Sequence, residues 1–354
     1  MEDRPEHQVP SEPFVEMRLP RVYGSFPTLF GTPLAETEQE LRGADIAFLG
    51  VPWRAPTTPS GFMIGGAQAN FEGTQLTPSY FRLNSLHYGG YLPELDIDVL
   101  EHLKLVDRGD AEVSQDIGKM FSAVEAEVGA IVEAGCAPVI MGGNAGPTTY
   151  PVLKAITERT DGPVTVLNLD AHGDNQPGRW EEDDPREPRW AASGALRILE
   201  LPGVDPTRYY HFGLRGPRND RGVISRFVER GVERDHIYTR RQIKETRRSS
   251  FDGWAEELAR RIADGGANKV WIAVDPDVLD VGSVPDFASE PLGPTLEEIT
   301  ELLYRVGGAA GKGGLAGISI MATPHDTRAL HHALLYVLLC ALAGILYGEG
   351  RGVA

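Results

Sequence analysis

Short apolar runs recur along the chain at residues 44–50 (ADIAFLG), 137–141 (APVIM), 164–170 (VTVLNLD), 209–214 (YYHFGL), 269–275 (KVWIAVD) and 315–320 (LAGISI). Each is short and apolar at both odd and even positions, which predicts strands buried on both faces of a sheet. Between them, residues 114–133, 250–264 and 295–306 place apolar side chains at the helical period and predict amphipathic helices. Thr295 and Glu298 have the capping-box spacing that starts a helix. Strands alternating with helices imply an α/β protein whose parallel sheet is covered on both faces. In such a sheet the chemistry lies beyond the carboxyl ends of the strands. Loops 55–75 and 176–190 are long enough to act as lids there.

Composition narrows the class. The chain has 354 residues, 41% hydrophobic and 24% charged, which excludes disorder as its dominant state. Residues 1–20 read as an N-terminal extension and 21–354 as one domain. The stretch 329–347 is apolar, but it carries His331 and His332 and follows Asp326, so it reads as a buried core helix. The formal net charge of −17 repels phosphate backbones and anionic lipid. A small molecule is therefore the expected ligand, with no nucleic acid and no membrane. Cys136 and Cys340 lie in apolar stretches and read as inert, reduced thiols of a cytoplasmic protein.

Two strand ends carry the candidate chemistry. Asp170-Ala171-His172-Gly173-Asp174 closes one run, and Asp275-Pro276-Asp277 closes another, with Asp280 three residues on. Residues two apart in extended chain share a face, so Asp170, His172 and Asp174 converge, as do Asp275 and Asp277. Carboxylates this close repel one another unless a cation neutralises them. Mixed Asp and His donors suit Mn²⁺ or a related divalent ion. The plainer alternative, in which each Asp only caps a turn, fits one such motif better than two.

These residues carry a resemblance. LDAHGD (169–174) and VDPDVLD (274–280) resemble the metal motifs LDAHxD and SxDxDxLD of the ureohydrolase family, the arginases and agmatinases, with the agmatinase branch nearest. Supporting segments follow in the family's order: SFPTLFGTP (25–33), GVP (50–52), EGTQLTPSYFR (72–82), VDRGD (106–110), MGGNAGP (141–147) and FGLRG (212–216). The resemblance implies a three-layer α/β/α fold around an eight-stranded parallel sheet, assembled as a homo-oligomer, trimer or hexamer. It also implies a binuclear Mn²⁺ centre that activates water against a guanidinium carbon, giving urea and an amine. By position, Asp170 and Asp275 would bridge both ions, His172 and Asp277 would complete one site, and Asp174 would belong to the other. Asp174 and Asp277 are then the candidate catalytic carboxylates.

The chain departs from the family at several positions. The histidine of GGDHS is replaced, since Asn144 and Ala145 stand there, and His172 is the one histidine between His102 and His211. The family's loop histidine, which shuttles protons, is matched by Ala192-Ser193-Gly194. The glutamate of EVxP falls in Ile320-Met321-Ala322-Thr323-Pro324, and GTGT becomes Asp286-Phe287-Ala288-Ser289. Arg54 replaces an Asp after GxP, and residues 61–67 form an inserted loop. Two readings follow. One is a metal-dependent hydrolase of a C–N bond with one strong site, one or two ions, and a substrate less cationic than arginine or agmatine. Asn144, Ser193 and Arg54 would line its pocket, Arg54 or Arg179 would meet an anionic group, and His325 would replace a lost ligand or proton shuttle. The other is a catalytically silent paralogue that binds a ligand or builds an oligomer.

Overall fold

The computed structural model describes residues 22–23, 26–53, 73–114, 116–143, 145–176, 193–263, 269–283, 290–324 and 327–350. Eight strands form one parallel sheet: β1 (Ile46–Gly50), β2 (Leu105–Asp110), β3 (Ala137–Met141), β4 (Val164–Leu169), β5 (Val204–Leu214), β6 (Ile237–Thr239), β7 (Lys269–Val274) and β8 (Leu315–Ile320). Their order is β6-β5-β4-β7-β8-β3-β1-β2, with every pairing parallel. The strands expected from apolar runs all form and fill the centre. The two that those runs did not announce are the edges. β2 interleaves Asp107, Arg108 and Asp110 with apolar residues, and β6 is three residues long. An edge strand has one neighbour instead of two, so it needs neither a continuous apolar run nor length.

Alternation along the strands sorts the core into two layers. Ile46, Phe48, Leu167, Leu169, Ile272 and Val274 pack on one side with α6 (Phe251–Ala263), α7 (Leu296–Gly314) and α8 (Arg328–Gly348). Ala47, Leu49, Val164, Val166, Trp271 and Ala273 face the other side, with α2 (Ile117–Glu133), α3 (Ala145–Thr157), α4 (Gly194–Leu199) and α5 (Val223–Glu229). This is the three-layer α/β/α arrangement.

The capping box at the start of α7 is formed. Thr295 N–H donates to Glu298 Oε2 at 2.8 Å, and Glu298 N–H donates to Thr295 Oγ1 at 3.2 Å. The helix runs beyond its expected end at Val306, to Gly314, with a break at Gly311 (φ 60°). It continues because Gly307 and Gly344 let α7 and α8 touch backbone to backbone; a Cβ at Gly307 would enter the Ala341 carbonyl, and one at Gly344 the Tyr304 carbonyl. Helix α8 is long and apolar enough to cross a membrane, yet 83% of its most apolar window is buried inside the protein. It is a core helix, as the sequence implied. Cys136 and Cys340 are buried and free, and burial pushes their thiols up to about 11 and about 12.

A buried ionic clamp ties the first strands to α1 (Thr77–Ser85). Arg82 donates from Nε and Nη2 to both oxygens of Asp107, at 2.9 and 3.0 Å, and from Nη1 to Asp110 at 2.6 Å. Asp107 also accepts from Leu29 N–H at 2.7 Å and Gly109 N–H at 2.9 Å. Burial alone would lower the Arg82 pKa, but the two aspartates outweigh it and raise the value. The segments EGTQLTPSYFR and VDRGD thus meet as a structural joint.

Candidate metal centre

β4 and β7 are neighbours at the middle of the sheet, in register with Leu169 opposite Val274. The next residues, Asp170 and Asp275, therefore leave the sheet side by side. Asp275 N–H donates to Leu169 O at 2.9 Å, and Asp170 N–H donates to Phe212 O at 3.0 Å. Gly213 makes this junction possible. Its φ is +117°, and a Cβ there would stand 2.9 Å from Asp170 O and 2.7 Å from Val278 Cγ2.

Turns then fold the acidic groups inward. His172 N–H donates to Asp170 Oδ1 at 2.6 Å, Asp277 N–H to Asp275 Oδ1 at 3.0 Å, and Ala171 N–H to Asp277 Oδ1 at 2.9 Å. One ligand atom from each of Asp170, His172 and Asp277 lies within 4.8 Å of the others. His172 Nδ1 is 2.7 Å from Asp277 Oδ2 and 3.7 Å from Asp170 Oδ1. A cavity of about 30 Å³ beside Asp170 is lined by Asp170, Asp174 and Asp275, with Thr149 and Met321. That volume is enough for a few waters or ions. The five residues singled out from the two motifs thus fall into two groups that share Asp170.

Their electrostatics follow from burial. Desolvation pushes Asp170 and Asp275 well above the carboxylate range, and the neighbouring aspartates push them further. Asp174 is raised to about 7, again chiefly by burial. Asp277 goes the other way: burial would raise it, but the positive His172 ring beside it pulls it below the usual range. In return, Asp277 overcomes the burial of His172 and lifts that imidazole to about 9. Without a cation, the cluster holds one charged pair and carboxyls that resist ionising. Carboxylate oxygens plus one imidazole nitrogen are the donor set of Mn²⁺ and similar ions, and the residues present fit such an ion.

The pattern-based reading missed the groups behind these. Glu290 is buried; its Oε1 is 3.4 Å from His172 Nε2 and accepts from Arg218 Nε at 2.8 Å. Arg215 is buried and donates to the carbonyls of Gly213, Asp277, Val278, Leu279 and Glu290, at 2.8–3.1 Å. It fixes the loop after β7. The sequence offered one signal for it, the FGLRG resemblance; nothing in spacing pointed to Glu290, 118 residues from His172. Asp280 is a turn residue, accepting from Gly282 and Gly293 N–H at 3.0 Å each. Ser193 is buried one residue before Gly194, which lines the cavity. His331 is buried between Asn84 Nδ2 (3.0 Å) and Pro324 O (2.7 Å), a core residue. Arg54, Asn144, Arg179 and His325 lie outside the described residues.

Fold and site together define a class: a doubly covered parallel α/β protein with a carboxylate-rich cluster, able to hold a cation, at the ends of its central strands. The arginase family model matches residues 44–339, and the chain belongs to that family. Among curated relatives it is 24% identical to the guanidinobutyrase of Pseudomonas aeruginosa, over 95% of this chain and 98% of the relative. It is likewise 24% identical to the proclavaminate amidinohydrolase of Streptomyces clavuligerus, over 80% and 82%. The solved structure of the latter superposes with a TM-score of 0.72 at 21% identity, covering 91% of this chain and 99% of that one. The Trypanosoma cruzi formiminoglutamase with Mn²⁺ superposes at 0.71 and 19% identity, covering 90% and 98%.

Proposed function

We propose that the protein is a Mn²⁺-dependent hydrolase of a C–N bond in a linear guanidino or amidino compound, with a substrate range shifted away from arginine and agmatine. The observation that carries this reading is the cluster of Asp170 and Asp277, buried, with the half-buried His172, Asp174 and Asp275, whose carboxyls ionise together only beside a cation. His172 and Asp277 would hold one ion, with Asp170 and Asp275 shared and Asp174 serving a second, weaker position. A bound divalent ion supplies Lewis acidity and lowers the pKa of water. Asp174, at the cavity wall, would give up its proton to water as such an ion binds. Glu290 and Arg218 orient the His172 ring from behind.

The shifted substrate range rests on the strand β8 exit. Residues 320–324 carry no carboxylate, and Met321 lines the cavity there, so among the described residues the β8 exit offers a guanidinium no anionic partner. The guanidinobutyrase and the formiminoglutamase are named for substrates that carry an acid group, which supports a guanidino or amidino acid here. An arginine of the loops, Arg54 or Arg179, would meet that acid, with Asn144 and Ser193 at the pocket wall and His325 in reach as a proton carrier. Assembly as a trimer or hexamer in the cytoplasm completes the proposal.

The test is amine release by the Mn²⁺-loaded protein from 4-guanidinobutyrate, formiminoglutamate, agmatine and arginine. The expected result is metal-dependent turnover that favours 4-guanidinobutyrate or formiminoglutamate over agmatine and arginine and falls at least about 100-fold in Asp277→Asn. A metal-loaded protein that turns over none of a wide guanidino panel contradicts catalysis and leaves the silent paralogue. Brisk agmatine turnover contradicts the substrate range.

A further inference from the structure

Away from the metal centre, a cleft of about 510 Å³ opens where the loop after β7 meets the segment that follows β6. Its size is that of a small-molecule site. Four cations line it: Arg240, Lys244, Arg247 and Arg248. Arg247 is engaged, pairing with both oxygens of Glu298 and donating to Gly293 O at 3.1 Å. Arg240, Lys244 and Arg248 make no ion pair among the described residues. The acidic group of the lining is Asp280, whose oxygens already accept from Gly282 and Gly293 N–H. Leu292 gives the cleft an apolar wall and is 57% exposed, among the most exposed large apolar side chains described.

Such a concentration of unpaired positive charge is unexpected on a chain of net charge −17, where the field of the whole molecule favours scattering its cations among its carboxylates. A concave surface with low-dielectric walls focuses that local field outward. Guanidinium and ammonium groups on neighbouring turns match an anion with several oxygens, and an apolar wall matches a short carbon frame. We propose that this cleft binds a small multivalent anion, of the phosphate or polycarboxylate class, separately from the substrate of the metal centre.

The site is placed to report on that centre. The loop after β7 carries Asp277 and Glu290 to the metal cluster and Leu292 and Gly293 to the cleft, and Arg215 holds its backbone at Asp277, Leu279 and Glu290. Anion binding itself does not depend on the enzymatic reading, so the two fail separately.

The experiment is calorimetric titration of the full-length protein with inorganic phosphate and, in a second arm, with citrate. Both are repeated on Arg240→Gln/Lys244→Gln/Arg248→Gln, on a charge-matched control (Arg42→Gln/Lys104→Gln/Lys119→Gln) and on Asp277→Asn. Saturable binding that weakens at least about 10-fold in the cleft variant, and stays in the control and in Asp277→Asn, supports the site. The tighter arm identifies the phosphoryl or the carboxylate source. Binding must also weaken as ionic strength rises. Three results overturn the proposal: no binding of either probe, equal loss in the control, or a change of oligomeric state in the cleft variant by light scattering, which makes the cations a subunit contact. A melting temperature unchanged in the cleft variant verifies that it folds.

Discussion

At the scale of single residues, burial forces the site's behaviour. Asp170, Asp174 and Asp275 have folded-state pKa values above their ordinary 3.8, so the folded protein holds their protons more firmly than the unfolded chain. Stability from such groups is complete below about pH 3.8 and is lost as pH rises through their folded values, about 7 for Asp174. His172 behaves likewise: its contribution is complete below pH 6.5 and lost through about 9. Asp277, held below its ordinary value, loses its contribution only in strong acid. The metal-free protein should therefore become less stable as pH rises from about 4 to about 9. Mn²⁺ needs those carboxylates ionised and the imidazole neutral, so it should raise the melting temperature more near pH 8 than near pH 5.5. Melting curves with and without Mn²⁺ at the two pH values check both signs. At the same scale, Glu290→Gln should weaken Mn²⁺ binding about 10-fold to 100-fold while the fold persists, because it removes the carboxylate behind His172. Equal affinity in parent and variant would show that Glu290 serves Arg218 alone.

At the scale of elements, the molecule joins its layers through a few buried polar contacts. Arg82 is 1% exposed and Asp107 fully buried, so Arg82→Leu leaves an uncompensated carboxylate and should cost about 3–5 kcal/mol in chemical denaturation. A surface arginine such as Arg241, paired among the described residues with Glu245 at 3.4 Å, should cost under about 0.5 kcal/mol on the same change. Gly213→Ala should displace Asp170 and lower both stability and Mn²⁺ affinity, through strain at φ +117° and the close Asp170 carbonyl. Elements also set how much could be read in advance. Central strands such as 137–141 and 315–320 are buried on both sides, and that burial is written in their sequence as unbroken apolar runs. The edge strand β2 was hidden because Asp107 and Asp110 are neutralised by Arg82, a partner on another element. Helix α7 outran its expected end for a related reason: its glycines disfavour helix locally, and the contact with α8 that overrides them is tertiary.

At the scale of the whole molecule, a parallel sheet places its chemistry where central strands end, and here β4 and β7 deliver two acidic motifs more than 100 residues apart to one point. That convergence was legible because alternation in extended chain fixes which residues share a face, and both motifs lie at strand ends. Of the groups that steady them, Arg215 was marked only by the FGLRG resemblance, and Glu290 was not legible, because it arrives on a loop whose path no local pattern sets. The central claim is that this convergence exists to hold a divalent ion, and metal content tests it most directly. The protein purified from Mn²⁺-supplemented medium, and its Asp277→Ala and His172→Ala variants, should be analysed by inductively coupled plasma mass spectrometry beside a folding check by circular dichroism. The account predicts about one or two ions per chain in the parent and a clear loss in both folded variants. A parent that carries no metal after Mn²⁺ saturation would contradict it.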